Sequence, residues 1–299
     1  MLGQKDILSA LEERLGRLHA RQRLGIEKDH EAQVFGQGIN FFHVENLTPS
    51  HALIRAVLMA TGLYWRGARN AAKVQLRHNR IESPLLPPSF AGFTILQISD
   101  LHVEMSEAAM ARVLELLRGL AYDITVLTGD YRAKTFGPYA ESLAGVARVR
   151  AGLTGPVYGV LGNHDTIAML PGLEEMGIRM LLNECETVER EGARIHLAGI
   201  DDAHFYRMDN IEKAANGIPP DEFSILVSHT PEIYRQAAHA DFNVLLTLDS
   251  VLPRSMGAGP WRHGDMIGYT AVGAGASVVP VRFNCPPEIT LHHLHRVTR

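Results

Sequence analysis

The stretch Phe93-Thr94-Ile95-Leu96-Gln97-Ile98-Ser99-Asp100-Leu101-His102 decides the reading of the chain. It begins as a short, mostly apolar run of strand length and stops at an aspartate and a histidine one residue apart. Side chains alternate along extended backbone, so Asp100 and His102 face the same way and could reach one ion. The pattern recurs downstream. Ile124-Thr125-Val126-Leu127-Thr128 runs into Gly129-Asp130, and Val157-Tyr158-Gly159-Val160-Leu161 into Gly162-Asn163-His164-Asp165. Phe223-Ser224-Ile225-Leu226-Val227-Ser228 runs into His229. Sites in open α/β sheets form beyond the carboxyl ends of the strands. Capping accounts for one such ending; four of them point to a common site.

Further apolar runs predict strands at 195–200, 242–248, 266–272 and 288–294, beside those at 93–99, 124–128, 157–161 and 223–228. Helices are expected over 106–119, 138–151, 167–176 and 231–239. Strands alternating with helices make the fold class α/β, a mixed sheet or a two-sheet sandwich flanked by helices. Before Phe90 the pattern is helical. Ile7, Leu8, Leu11, Leu15 and Leu18 recur at helical spacing within 6–24, and a second helix is expected from about 49 to 79. Ser83-Pro84-Leu85-Leu86-Pro87-Pro88 reads as a boundary. The expected organisation is an N-terminal helical extension over 1–82, a Pro-rich linker over 83–89 and one domain over 90–299.

Of the 299 residues, 46% are hydrophobic and 21% charged, which excludes a disordered chain, a collagen or a coiled-coil rod. A net charge of −4 argues against nucleic acid as a partner. Two cysteines, Cys185 and Cys285, cannot build a disulfide scaffold and suit a reducing compartment. The start carries no secretory signal, and no run of about 20 apolar residues occurs, so a cytoplasmic protein is expected. Residues 1–82 hold 12 basic and 8 acidic side chains, whereas the remainder holds 17 and 25. The basic excess lies in the second helical stretch, where Arg55, Arg66, Arg69, Lys73, Arg77 and Arg80 face a single acid, Glu82. Such a helix either packs on the main domain with its basic face in water or lies on an anionic membrane as a peripheral contact through 49–80.

Carboxylate oxygen, amide oxygen and imidazole nitrogen at the strand ends suit Mn²⁺, Fe, Zn²⁺ or Mg²⁺ rather than a thiolate-loving metal. The ordered set Asp100-Leu101-His102, Gly129-Asp130, Gly162-Asn163-His164-Asp165 and Ser228-His229-Thr230-Pro231 resembles the calcineurin-like metallophosphoesterases. Gly273-Ala274-Gly275 and the run from Pro280 to Ile289 resemble the end of the bacterial branch, which includes membrane-associated phosphohydrolases. The resemblance implies a sandwich of two mixed β-sheets. It also implies hydrolysis of a phosphomonoester, phosphodiester or pyrophosphate by metal-activated hydroxide, with two divalent ions (Mn, Fe or Zn) as cofactors. The substrate would be a phosphorylated small molecule or a lipid-linked one, as in the related cleavage of UDP-2,3-diacylglucosamine. By the resemblance Asp100, His102 and Asp130 bind the first ion. Asp130 bridges to the second, which Asn163 and His229 also hold. His164 contacts phosphate or protonates the leaving oxygen, Asp165 orients it, and Asp201 and Asp202 are structural or support the ligands from behind.

The likeness breaks at one place. The family's Gly-His-x-His motif is absent, and Phe242-Asn243-Val244-Leu245-Leu246 is followed by Thr247-Leu248-Asp249-Ser250-Val251. Either a short segment is missing between Leu246 and Asp249, which the loss of the neighbouring Gly-rich turn favours, or Asp249 and Val251 take the two positions. Each ion then lacks a nitrogen ligand and the site is incomplete, leaving either an impaired enzyme or a non-catalytic metal- or ligand-binding relative. Asp249 or His263 could substitute. His292, His293 and His295 are expected at the surface.

Overall fold

The structure, a computed structural model, describes residues 4–36, 48–248 and 256–298. Strands β1 (Gln75–Ser83), β2 (Thr94–Ile98), β3 (Ile124–Leu127), β4 (Val157–Gly159), β5 (Ile178–Met180), β6 (Glu184–Arg190), β7 (Ala193–Gly199), β8 (Ser224–Val227), β9 (Val244–Leu248), β10 (Gly259–His263), β11 (Met266–Ala271) and β12 (Glu288–Arg296) form two six-stranded sheets. The helices are α1 (Gln4–Leu15), α2 (Arg17–Gly36), α3 (Thr48–Ala60), α4 (Leu63–Ala71), α5 (Glu107–Leu117), α6 (Ala140–Ala151), α7 (Leu170–Glu175), α8 (Ile211–Ala215) and α9 (Tyr234–His239).

One sheet has the order β1-β12-β2-β3-β4-β5 and the other β10-β11-β9-β8-β7-β6. Both are mixed: β12 runs antiparallel to β2, and β6 and β10 run antiparallel to their neighbours, while the remaining pairs are parallel. Alternation explains the layers. Ile95, Val126, Ile225, Val227, Val244 and Leu246 point into the space between the sheets. Leu96, Ile98 and Leu127 point the other way, beneath Met110 and Val113 of α5 and Val146 of α6. Leu226 and Leu245 meet Ala237 of α9 and Ala214 of α8. Burial on both faces is why the interior strands read as unbroken apolar runs.

The second helical stretch departs from expectation. α3 closes at Gly62, whose φ of 72° is left-handed, and α4 ends at Ala71. Residues 75–83 are then not helix but β1, parallel to β12 at the edge of the first sheet. Asn79, Ile81 and Ser83 alternate inward while His78, Arg80 and Glu82 face outward, a period-2 pattern that the three-residue step from Arg77 to Arg80 disguises as a helix face. The Pro-rich stretch is accordingly a turn and a 3₁₀ turn (Pro88–Phe90) joining two strands of one sheet, not a linker between separate units. The first two helices are also part of the main body, since Leu11, Leu15 and Ala20 belong to its core.

His292 also departs from expectation: it is fully buried. Its Nδ1 accepts from Asn79 Nδ2 at 2.9 Å, so the ring hydrogen sits on Nε2 and is donated to Gln97 Oε1 at 2.9 Å. Gln97 Nε2 continues to the Thr247 carbonyl of the other sheet at 2.9 Å. His293 is partly exposed and lies 2.9 Å from His78 across the edge pair.

Candidate metal centre

The ends of β2, β3, β4 and β8 converge. Asp130, on the turn after β3, is buried at the middle of the cluster. Its Oδ2 lies 3.9 Å from His102 Nε2 and 3.8 Å from His164 Nε2, and its Oδ1 lies 3.6 Å from His229 Nε2. Asp100 Oδ2 is 3.8 Å from His102 Nε2. Asn163 Oδ1 is 2.9 Å from His229 Nε2. All seven residues expected at the site are therefore on the loops that meet here.

The backbone is strained to achieve this. Asp100, His102 and Asp130 have φ of 44°, 37° and 55°, left-handed values that cost side-chain-bearing residues about 1–3 kcal/mol each and concentrate at functional sites. Gly162 has to be glycine: a Cβ there would lie 2.2 Å from Asp130 Oδ1 and 2.8 Å from His229 Cε1.

The donor set fits a divalent cation. Asp100 Oδ1 is buried without a hydrogen-bond partner. Gaps of 3.6 to 3.9 Å are too long for direct hydrogen bonds and suit ligands that share an ion. Asp100, Asp130 and His229 bring ligand atoms within 4.8 Å of one another. His102 Nδ1 donates to the Arg132 carbonyl and His229 Nδ1 to the Thr128 carbonyl, both at 2.8 Å. A carbonyl only accepts, so each Nε2 is left to offer its lone pair inward when the ring is neutral, the usual arrangement behind a metal-ligating histidine.

The electrostatics agree. Burial alone would depress both histidines, but the Asp100 and Asp130 carboxylates hold His102 and His229 up at about 9. Burial pushes Asp130 up to about 6, with Asp100 adding to it and the histidines opposing. Burial also acts upward on Asp100, but the three surrounding histidines outweigh it and its carboxyl sits below the ordinary range. The pocket holds negative charge that asks for a cation.

Asp165 is placed differently from expectation. Its carboxylate does not hold the His164 ring. It accepts from the backbone N–H groups of Asp130 at 2.8 Å, Tyr131 at 3.0 Å and Gly162 at 2.9 Å, tying the turn after β3 to the turn after β4. Burial raises it to about 7. The His164 ring is instead 3.2 Å from Thr135 Oγ1 through Nδ1, and its backbone carbonyl accepts from Arg132 Nε at 2.6 Å.

Sequence reasoning missed the brace behind this loop. Arg23 of α2 is fully buried, with its guanidinium 3.2 Å from the Tyr206 ring centroid. It donates to the Asp165 carbonyl at 3.1 Å and pairs with Glu27 at 2.5 Å and Asp201 at 3.4 Å. Glu27 accepts from Ile167 N at 2.8 Å and from the Thr166 hydroxyl, while His19 lies 2.8 Å from Asp201. In sequence these look like solvent-facing charges; the only signal is the Arg23–Glu27 spacing of four. Asp201 takes part in the Arg23 pair, while Asp202 Oδ2 accepts from Phe205 N and Tyr206 N at 2.7 and 2.6 Å and its charge helps to hold His229 up.

His263 is remote from the cluster. It ends β10 opposite Met266, beside the start of β9, whereas the site lies beyond the strands' far ends. Its ring packs edge-on against Tyr234 at 4.7 Å. Asp249 and Val251 lie outside the described residues.

Comparison with known proteins places these observations among relatives. The sequence profile of the calcineurin-like phosphoesterases matches residues 93–251. The uncharacterized metallophosphoesterase YkoQ of Bacillus subtilis is 24% identical over 272 residues, covering 80% of this chain and 97% of the relative. A bovine transmembrane protein with a metallophosphoesterase domain is 28% identical, over 79% of this chain and 60% of its own length. Among solved structures, the calcineurin-like phosphoesterase YfkN of Bacillus subtilis superposes with a TM-score of 0.41 at 13% identity, over 62% of this chain and 82% of that one.

Proposed function

Because the chain belongs to the calcineurin-like phosphoesterase family, whose members are phosphoester hydrolases, we propose that it is a metal-dependent hydrolase of a phosphomonoester, phosphodiester or pyrophosphate bond. The observation that carries this reading is the buried Asp130 carboxylate, faced by three histidine Nε2 atoms at 3.6 to 3.9 Å beside the unpartnered Asp100 Oδ1.

Asp100, His102 and Asp130 would hold one ion, and Asp130, Asn163 and His229 a second, with Mn, Fe or Zn the metals that suit these donors. Divalent ions there would supply Lewis acidity and lower the pKa of water to near neutrality. The chain's own residues do the rest. The Arg132 and Thr128 carbonyls fix the tautomers of His102 and His229. His164 Nε2, 3.8 Å from Asp130 Oδ2, would give a proton to the leaving oxygen. Asp165 and Arg23 lock the loop that carries His164. The ligands supplied after β9 in relatives with Gly-His-x-His are absent from the sequence, so metal affinity is expected to be low and saturating metal is required for turnover.

The test is hydrolysis of bis-p-nitrophenyl phosphate with added Mn²⁺, Fe²⁺ or Zn²⁺, with bound metal counted by elemental analysis. Metal-dependent turnover supports the reading. No turnover with any of these metals, together with less than one ion per chain, would leave a non-catalytic relative.

A further inference from the structure

The first two helices are absorbed into the body of the protein, but α3 and α4 are not. α3 packs principally on α4, and its apolar side chains face outward: Leu53 is 66% exposed and Val57 54%. On α4, Leu63 is 43% and Trp65 63% exposed, and Phe283 of a neighbouring loop is 38% exposed. These residues lie on two helices that pack together and on the loop against the second. Gly67 of α4 lies so close to that loop that a Cβ would meet Val281 and Phe283 at 2.7 Å, and the Gly67 carbonyl accepts from Arg282 N at 3.0 Å. α4 is thus anchored by Tyr64, Gly67 and Ala71 on its buried side, with Arg66 and Arg69 opposite and Leu63 and Trp65 exposed on the two flanks between them. Of the exposed large apolar side chains among the described residues, all but Leu18 are on these elements, and such a concentration marks a contact site.

Charge identifies what covers it. Arg55, Arg66, Arg69 and Lys73 are all exposed, and no acid occurs between Thr48 and Ile81. Arg66, Arg69 and Lys73 make no ion pair among the described residues. Two copies meeting through this face would set cation against cation. An anionic lipid surface offers the complement to both features, taking the apolar side chains below the headgroups and the basic ones among them, with an aromatic such as Trp65 at the boundary. α3 has 13 residues and α4 nine, and no described helix is long and apolar enough to cross a membrane, so the contact is with the surface. We propose that α3 and α4, with Phe283, form a docking surface for an anionic lipid bilayer.

The surface is wired to the metal centre. The Arg282 guanidinium donates to the Gly275 carbonyl at 2.8 and 3.0 Å, and Gly275 N donates to the Asp100 carbonyl at 2.7 Å. One short run of backbone therefore separates the bilayer contact from Asp100. Docking itself does not depend on hydrolysis, so the two readings fail separately.

The test uses the full chain with vesicles rich in phosphatidylglycerol and with vesicles of phosphatidylcholine alone. Flotation with the first and not the second is expected, with a blue shift of Trp65 emission in a Trp261→Phe background. Leu53→Glu with Val57→Glu, and separately Arg66→Glu with Arg69→Glu and Lys73→Glu, should each weaken binding at least about tenfold while leaving the melting temperature unchanged. The proposal is overturned by no flotation on anionic vesicles, by equal flotation on both kinds, or by undiminished binding of the variants. It is also overturned if Leu53→Glu lowers the melting temperature, which would mean that the face is packed within the fold. A concentration-dependent dimer that the same variants abolish would overturn it in favour of a second copy.

Discussion

His102 and His229 in the metal centre and His292 between β1 and β2 are all buried, yet they are driven in opposite directions. The first two are held up at about 9, whereas burial drives His292 down to about 3, with His293 adding slightly. Depth does not distinguish them; neighbours do. Carboxylates of Asp100 and Asp130 face the site histidines, while neutral amides of Asn79 and Gln97 bracket His292. The site is built around uncompensated negative charge and favours a cation, proton or metal. The core position is built around a neutral ring that passes one hydrogen bond along. Counting histidines cannot separate these cases; the charge of the partners does.

The strongest way to break the contrast is to remove the charge at the centre of the cluster. Asp130→Ala should lower metal affinity and turnover by at least about 100-fold, since losses behind a ligand already cost 10–100-fold. Because Asp130 would touch both ions, elemental analysis should find neither bound, whereas His292→Gln should retain both. Two ions kept by Asp130→Ala would contradict the assignment. His164→Ala sharpens the contrast within the site itself. It should keep the metals and lose about 10²–10⁴-fold in turnover, the usual worth of a positioned proton donor. Loss of metal in that variant would make His164 a ligand, since its 3.8 Å distance to Asp130 is close to that of the other two histidines.

Eight strands were legible in the sequence because all eight lie inside a sheet, where both faces are largely buried and apolar residues recur along the run. The four that escaped, β1, β5, β6 and β10, are the four edges. Edge strands are short or carry charge on one side: β5 has three residues, and β1 carries Arg80 and Glu82 on its outer face. The site was legible for the same reason in reverse, since its polar residues interrupt interior strands at their ends. What sat on other elements was not. Arg23 reaches the Asp165 carbonyl from a helix more than 100 residues away in sequence, and its only local mark is the four-residue spacing to Glu27. His292 was misread because β1 was: without a strand on that side, β12 looks like the border of the sheet rather than its second strand.

The smallest expected effect tests the neutral half of the contrast. An unfolded chain protonates His292 near pH 6.5, while the folded chain resists until about pH 3. Between those values the unfolded state binds a proton that the folded state does not, so this group lowers stability as pH falls. Its slope approaches about 1.4 kcal/mol per pH unit, and it contributes nothing above pH 6.5 or so. His292→Gln should cost about 1–3 kcal/mol at pH 7.5, because Asn79 and Gln97 lose well-aligned partners in a dry interior. The variant no longer carries the titrating ring, so its deficit relative to the parent should shrink by about 1 kcal/mol per unit between pH 6 and pH 4. Urea unfolding of chelator-treated protein at pH 7.5, 6, 5 and 4 reads this difference directly, and comparing the two proteins at each pH cancels the slope contributed by the site histidines. A deficit that stays constant with pH would mean that His292 takes up its proton as readily in the fold as in the unfolded chain, and burial would then not set it apart as a neutral ring.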